Sequence, residues 1–215
     1  MVKIVQLNIC NLEKIIEVES GAFIPPLQAS RQKIIKRLSL NHFYFGAEID
    51  SNLVGTLAFR YSTFSLINRA DFPRTFEEFV NHPNTERSNA ILVYSLGILP
   101  EYRGKNSALK LLNEAFEFAK RSGIEYVFGD GRCPSYNGSN DFPQERIEKS
   151  QEFKESIDEC IAHGFNPSVK ELLKDSTLAF YIKFVGLKPL KLIPNFIPED
   201  KPAGGHRVIL YKKSR

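Results

Sequence analysis

The residues best suited to chemistry lie together in one stretch, Val93-Tyr-Ser-Leu-Gly-Ile-Leu-Pro-Glu-Tyr-Arg-Gly-Lys-Asn-Ser-Ala-Leu-Lys-Leu-Leu112, where an apolar run enters a short basic turn and then a helix-forming segment. A helix start leaves backbone N–H groups without intrahelical partners and carries the positive end of the helix dipole, so a pyrophosphate placed there meets several aimed donors. Gly104 lets the backbone come close, Arg103 and Lys105 add charge at the same mouth, and Ala108 is small enough for the first helical turn to lie against neighbouring strands. The turn is therefore expected to bind an anion.

Other groups signal less. Cys133 as a nucleophile would need a histidine beside it, and the sequence does not place His163 or His206 there. Cys160 and His163 stand three apart on a helical segment, but two ligands without a second pair do not make a metal centre, so no metal is expected. Three scattered cysteines leave at least one free thiol and suit a reducing compartment. No apolar run approaches the roughly 20 residues that cross a bilayer, and Met1 to Val5 alternates like a strand, so a cytoplasmic protein with no membrane partner is expected. The net charge of +4 is spread along the chain, with small clusters at Arg31, Lys33, Lys36 and Arg37 and at Lys212, Lys213 and Arg215. Such a balance suits an anionic cofactor or substrate without requiring nucleic acid, for which no motif is present.

The elements that must position the turn follow from periodicity. Lys3 to Ile9 alternates as a strand, Asn11 offers an N-cap for a helix through Glu19, and a second amphipathic helix carries Leu27, Ile34, Ile35 and Leu38 on one side. Phe43 to Asp50 and Leu53 to Thr63 read as a hairpin, and Phe64 to Asn89 as an excursion over the surface with a short helix around Phe76 and Phe79. Ala90 to Leu99 is the apolar run of a central strand. The following helix places Ala108, Leu111, Leu112, Ala115, Phe116 and Ala119 on one stripe, and Glu125 to Gly131 returns as a strand parallel to the first. Arg132 to Asp175 is polar and long, with a helix from about Gln144 to Ala162. Ser176 to Val185 reads as helix, and Leu187 to Phe196 and His206 to Lys213 as closing strands. The expected protein is one domain, residues 1–215, with insertions at about 64–89 and 132–175.

This order of elements resembles the GNAT superfamily of acyl-CoA-dependent acyltransferases. The family's pyrophosphate loop reads Arg or Gln, two residues, Gly, one residue, then Gly or Ala; here Arg103, Asn106 and Ala108 fill those places. Asn106 departs from the family glycine, but asparagine tolerates left-handed backbone better than most residues. A narrower likeness, carried by Gly131-Arg-Cys-Pro-Ser-Tyr136, Leu173 to Phe180 and Ile193 to Asp200, is to acetyltransferase-like domains fused to nitrilase-type hydrolases. The resemblance implies an α/β (α+β) fold with a mixed, mostly antiparallel sheet of six to seven strands, a parallel splayed pair, flanking helices and a large insertion after the fifth strand.

It also implies acetyl-CoA as co-substrate and direct transfer of its acetyl group to a primary amine of a small molecule or peptide, by a monomer or homodimer. Leu96, Gly97 and Ile98 would pair with the pantetheine arm, and Arg103, Gly104, Lys105, Asn106, Ser107 and Ala108 would hold the diphosphate. The alternative reading of Gly97 is a bulge in a buried strand. Tyr181, in Leu178-Ala-Phe-Tyr-Ile-Lys-Phe-Val-Gly186, resembles the family's acid, with one extra residue before the glycine. Asp130 and Glu48 are the candidate bases, and Arg132 with Tyr136 the candidate acceptor contacts. Alternatives are a longer-chain acyl-CoA or acyl-carrier-protein donor, greeted by Arg31, Lys33, Lys36 and Arg37, and a noncatalytic acyl-CoA sensor.

Overall fold

A computed structural model describes residues 1–68, 72–83, 87–137 and 144–214. Fourteen principal elements emerge among them: β1 (Lys3–Leu7), α1 (Leu12–Ala22), α2 (Arg31–Ser39), β2 (Phe43–Ile49), β3 (Asn52–Ser62), α3 (Phe76–Asn81), β4 (Ala90–Ile98), α4 (Ser107–Arg121), β5 (Tyr126–Arg132), α5 (Gln144–His163), α6 (Val169–Leu172), α7 (Ser176–Ala179), β6 (Lys188–Ile193) and β7 (Arg207–Lys213). The strands form a seven-stranded mixed sheet of order β1-β2-β3-β4-β5-β7-β6. The chain divides into two compact units, residues 1–70, 83–127 and 213–215 in one, residues 71–82 and 128–212 in the other.

In the first unit β1, β2, β3 and β4 are successively antiparallel, from Lys3↔Glu48 to Ser62↔Ala90. The β2–β3 hairpin closes on two residues, Asp50 and Ser51, both at positive φ (50° and 67°), while Asn52 already pairs with Ile49. That backbone matches the twist of the flanking strands, which is why so short a loop works without glycine. Helix α4 buries Leu111, Leu112, Ala115, Phe116 and Ala119, the stripe its 3.6-residue period requires. Its Phe118 ring lies 5.0 Å from that of Phe59 and 5.1 Å from that of Phe43. Helix α1 ends where Ala22 and Phe23 reach β4: a Cβ on Gly97 would stand 2.8 Å from Phe23 and 3.0 Å from Ala22.

Helix α2 starts at Arg31 rather than near Leu27, because Pro25 and Pro26 open a 3₁₀ turn and Ser30 then supplies the cap, its Oγ accepting from the Lys33 amide. Asn11 does stand at the N-cap position of α1 but makes no side-chain cap bond there; its side chain instead closes a reciprocal pair with Asn8, which caps the 3₁₀ turn Ile9–Asn11 leading into the helix.

In the second unit β6 and β7 are antiparallel, from Lys188↔Tyr211 to Ile193↔Arg207. Its core gathers Cys133, Phe153, Ile157, Cys160, Leu172, Leu178, Val208 and Leu210. The polar stretch after β5 thus contributes packed interior through α5. Within this unit α3 also departs from the expected surface excursion: Phe79 is fully buried, its ring 5.6 Å from that of Phe196 and 6.1 Å from that of Phe128. Strand β6 stops at Ile193, three residues before the expected end, as Pro194 and the left-handed Asn195 (φ 51°) turn the chain.

Candidate functional site

In the first unit, β4 delivers the chain to the basic turn. Leu96, Gly97 and Ile98 face Leu57, Thr56 and Gly55 of β3, and Leu99 N–H donates to the Val54 carbonyl at 2.9 Å. The missing side chain of Gly97 makes room for Ala22 and Phe23 of α1. After a 3₁₀ turn at Pro100–Tyr102 the backbone becomes left-handed at Gly104 (φ 78°), where a Cβ would meet nothing within 4 Å, and again at Asn106 (φ 62°, ψ 9°). Asn106 therefore does take the conformation a glycine would adopt most readily.

The Asn106 side chain makes no capping bond, and α4 begins at once with Ser107. Ser107 is 2 % exposed, and its hydroxyl has no hydrogen-bond partner among the described residues. A buried hydroxyl without a partner, in the first turn of a 15-residue helix whose leading amides have no side-chain cap, is a donor set aimed at an acceptor. Lys105 lies over the Tyr102 ring at 4.7 Å, leaving its charge at the solvent-exposed rim. Arg103 also has partners within the fold. Its Nε donates to the Ile98 carbonyl at 3.3 Å and its Nη2 to the Ala22 carbonyl at 3.2 Å, tying the end of β4 to the end of α1.

The second unit holds a chain of charges on β5, β7 and the loop between β6 and β7. Asp130 is buried, 8 % exposed at its side chain, with Arg207 Nε 3.3 Å from its carboxylate. Burial pushes the Asp130 carboxyl up to about 6 despite that guanidinium. Arg207 also donates through Nη2 to Asp200 at 2.8 Å, and Arg132 grips the same Asp200 with Nε (2.7 Å) and Nη2 (2.6 Å). The fork of Arg132, expected to hold an acceptor anion, is thus engaged by Asp200, a partner 68 residues away that no local pattern pointed to.

Tyr181 belongs to the same neighbourhood. Burial, then the Asp130 charge, push its hydroxyl up to about 12, so it stays a neutral donor. It sits in a π-helical turn, Phe180–Val185, that continues α7 and ends at Gly186 (φ 75°). A π turn accommodates one extra residue, which explains the longer spacing between Tyr181 and the glycine. Tyr136 donates to Asp158, lies under Lys154 and meets the His206 ring at 4.5 Å. His206 Nδ1 accepts from the Asn195 amide, and burial lowers its pKa. Cys133 is fully buried and its thiol is pushed far up by burial and by the Asp175 charge, which removes it as a nucleophile.

Glu48 is in the first unit, at a bulge of β2 between Lys3 and Leu53. The basic cluster on α2 is smaller than it reads. Arg31 is paired with Glu13 at 2.6 Å, and Arg37 is buried at 6 % exposure, 5.0 Å from the Tyr94 ring centre. Around Arg37 lie Glu19, Tyr44, Tyr94 and His42, whose Nδ1 is 2.9 Å from the Tyr94 hydroxyl. Burial, with help from Arg60 and Arg37, lowers the His42 pKa to about 4.

A seven-stranded mixed sheet flanked by helices, with a left-handed basic turn between a central strand and a helix, matches the GNAT fold. The profile of the Acetyltransferase (GNAT) family matches residues 12–137, more than half of the chain, and the chain belongs to that family. No curated protein sequence matches it. Among solved structures, it is similar to the loading GNATL domain of CurA from Lyngbya majuscula (20% identity, TM-score 0.72, 100% of this chain and 98% of that one). It is similar also to the GphF GNAT-like decarboxylase in complex with isobutyryl-CoA (20%, 0.73, 99% and 100%). PaiA N-acetyltransferase from Thermoplasma acidophilum in complex with coenzyme A is a further likeness (18%, 0.53, 99% and 99%). At such identities the likeness concerns the fold.

Proposed function

We propose that the protein is an N-acyltransferase that moves an acetyl group from acetyl-CoA to a primary amine of a small molecule or peptide. The observation that carries this reading is the Ser107 hydroxyl, buried and without a hydrogen-bond partner among the described residues, at the start of α4 just after the left-handed Gly104 and Asn106. The amides of the first turn, Ser107 and the nearby Lys105 would hold the diphosphate of the carrier. The thioester supplies an activated acyl group. Asp130, poised near neutrality, takes the proton that the attacking amine releases, and Tyr181 offers its O–H to the departing sulfur. A nitrogen–carbon bond forms as the carbon–sulfur bond breaks.

Calorimetry with coenzyme A, followed by thiol release from acetyl-CoA across an amine panel, tests the reading. Ser107→Ala should weaken binding several-fold, and Tyr181→Phe should lower kcat with little change in KM. The absence of any coenzyme A binding at millimolar concentration ends the proposal.

One observation favours a second reading. Over nearly its whole length the chain follows the GNAT-like decarboxylase at a TM-score of 0.73, against 0.53 for the N-acetyltransferase PaiA. On that reading a carboxyacyl-CoA loses carbon dioxide: the bond to the carboxylate breaks, its electron pair remains on the acyl chain, and that carbon takes a proton. Conversion of malonyl-CoA to acetyl-CoA without any amine, read by mass spectrometry, separates the two.

A further inference from the structure

We propose that Arg207 and Asp200 form a positioning pair that orients the Asp130 carboxylate and sets the charge around it, with Arg132 clamping Asp200 from its other side. The proposal rests on the reading of Asp130 as the base.

The geometry carries it. Arg207 is 3 % exposed, and each of its three nitrogens has an assigned acceptor: Nε the Asp130 carboxylate at 3.3 Å, Nη2 Asp200 at 2.8 Å and Nη1 the His206 carbonyl at 2.8 Å. A planar fork held at three points has no rotation left, so the side of Asp130 that it covers is fixed. Asp200, fully buried, accepts from two guanidiniums and so cannot follow Arg207 elsewhere. Arg132 closes the row at its half-buried end.

The row alternates in sign, carboxylate, guanidinium, carboxylate, guanidinium, and is neutral when Asp130 is ionised. Protonating Asp130 leaves one positive charge in the interior, whereas removing Asp200 would leave one even with Asp130 ionised. Among the described residues, the other titratable groups near the row are Tyr181, Cys133, Asp175 and His206, whose ring accepts from the Asn195 amide and whose pKa burial lowers. Tyr181 from the π turn and the Cys133 thiol after β5 keep their protons. Asp175, at the cap of α7, accepts from the Ser135, Thr177 and Leu178 amides. Nothing among these groups substitutes for the Arg207 charge at the Asp130 oxygen.

Two substitutions of opposite sign read the pair. Arg207→Met removes the cation beside Asp130 and should move its titration to higher pH, whereas Asp200→Asn removes the neighbouring anion and should move it lower, each by about one pH unit. The measurement is the carboxyl ¹³C shift of Asp130 against pH, alongside the acid limb of kcat/KM. Arg132→Gln, at the half-buried end, should move the titration upward by less than Arg207→Met and serves where the latter fails to fold. Arg207→Lys should keep the titration near the wild-type position while lowering kcat, since it retains the charge and loses the fork. Shifts of one sign only, or lost activity with an unmoved titration, overturn the pair. Asp130→Asn tests the base itself: full activity in that variant ends the base assignment, while the ¹³C titration in the other variants still decides the pair.

Discussion

Asn106 shows how one residue can depart from a family pattern and keep its geometry. Its φ of 62° lies where a Cβ is costly for most residues and tolerable for asparagine, whose short polar side chain relieves the crowding. Asn106→Gly should therefore be neutral or mildly stabilising, and Asn106→Val should cost about 1–2 kcal/mol and weaken coenzyme A binding, because a β-branched residue resists left-handed backbone. Thermal unfolding with parallel calorimetry checks both, and an unchanged melting point in Asn106→Val would contradict the argument. Arg103 teaches the complementary point. Its place in the motif was legible, but its hydrogen bonds to Ile98 and Ala22 depend on where α1 ends, which no spacing around residue 103 encodes.

Among the elements, α4 was legible in both extent and burial, whereas the short helix around Phe76 and Phe79 was legible as a helix but not as a buried one. The stripe of α4 repeats four times and dominates its neighbours' charges. Helix α3 has one turn and a half, two glutamates in its first turn and prolines nearby, so its two buried positions, Phe79 and Val80, do not make a period. Phe79 is buried against Phe128 and Phe196, 49 and 117 positions further along the chain. Phe79→Ala should accordingly cost about 3–5 kcal/mol in denaturant unfolding, and Glu77→Ala on the exposed side less than about 0.5 kcal/mol. Comparable losses from the two would return α3 to the surface. The π turn after α7 is the other element that local pattern does not specify; a single added residue, placed before the left-handed Gly186, opens the ladder there.

For the whole molecule, two buried groups bind stability to pH in opposite senses. Asp130 has a folded pKa of about 6, above the ordinary 3.8, so its contribution is full below pH 3.8 and is lost as pH rises through 6, about 3 kcal/mol in all. His42 has a folded pKa of about 4, below the ordinary 6.5, so its contribution is full above pH 6.5 and is lost as pH falls through 4, again about 3 kcal/mol. In one cooperative transition the two nearly cancel between pH 4 and 6.5. Asp130→Asn should make stability climb with pH across that window relative to wild type, and His42→Gln should make it fall; urea unfolding at a series of pH values reads both slopes, and parallel curves for the three proteins would refute the pKa assignments. The basic turn, the order of the elements along the chain and the burial of α4 were written in the sequence, because backbone propensity and hydrophobic period act between residues close along the chain, and the motif at Arg103, Asn106 and Ala108 carried the likeness to the family. The pairing of Arg132 with Asp200, the row that reaches Asp130 through Arg207, and the burial of Arg37 and Phe79 were decided by tertiary structure alone. A desolvated charge takes whichever opposite charge the packed elements bring within hydrogen-bond reach, and separation along the chain does not enter that choice.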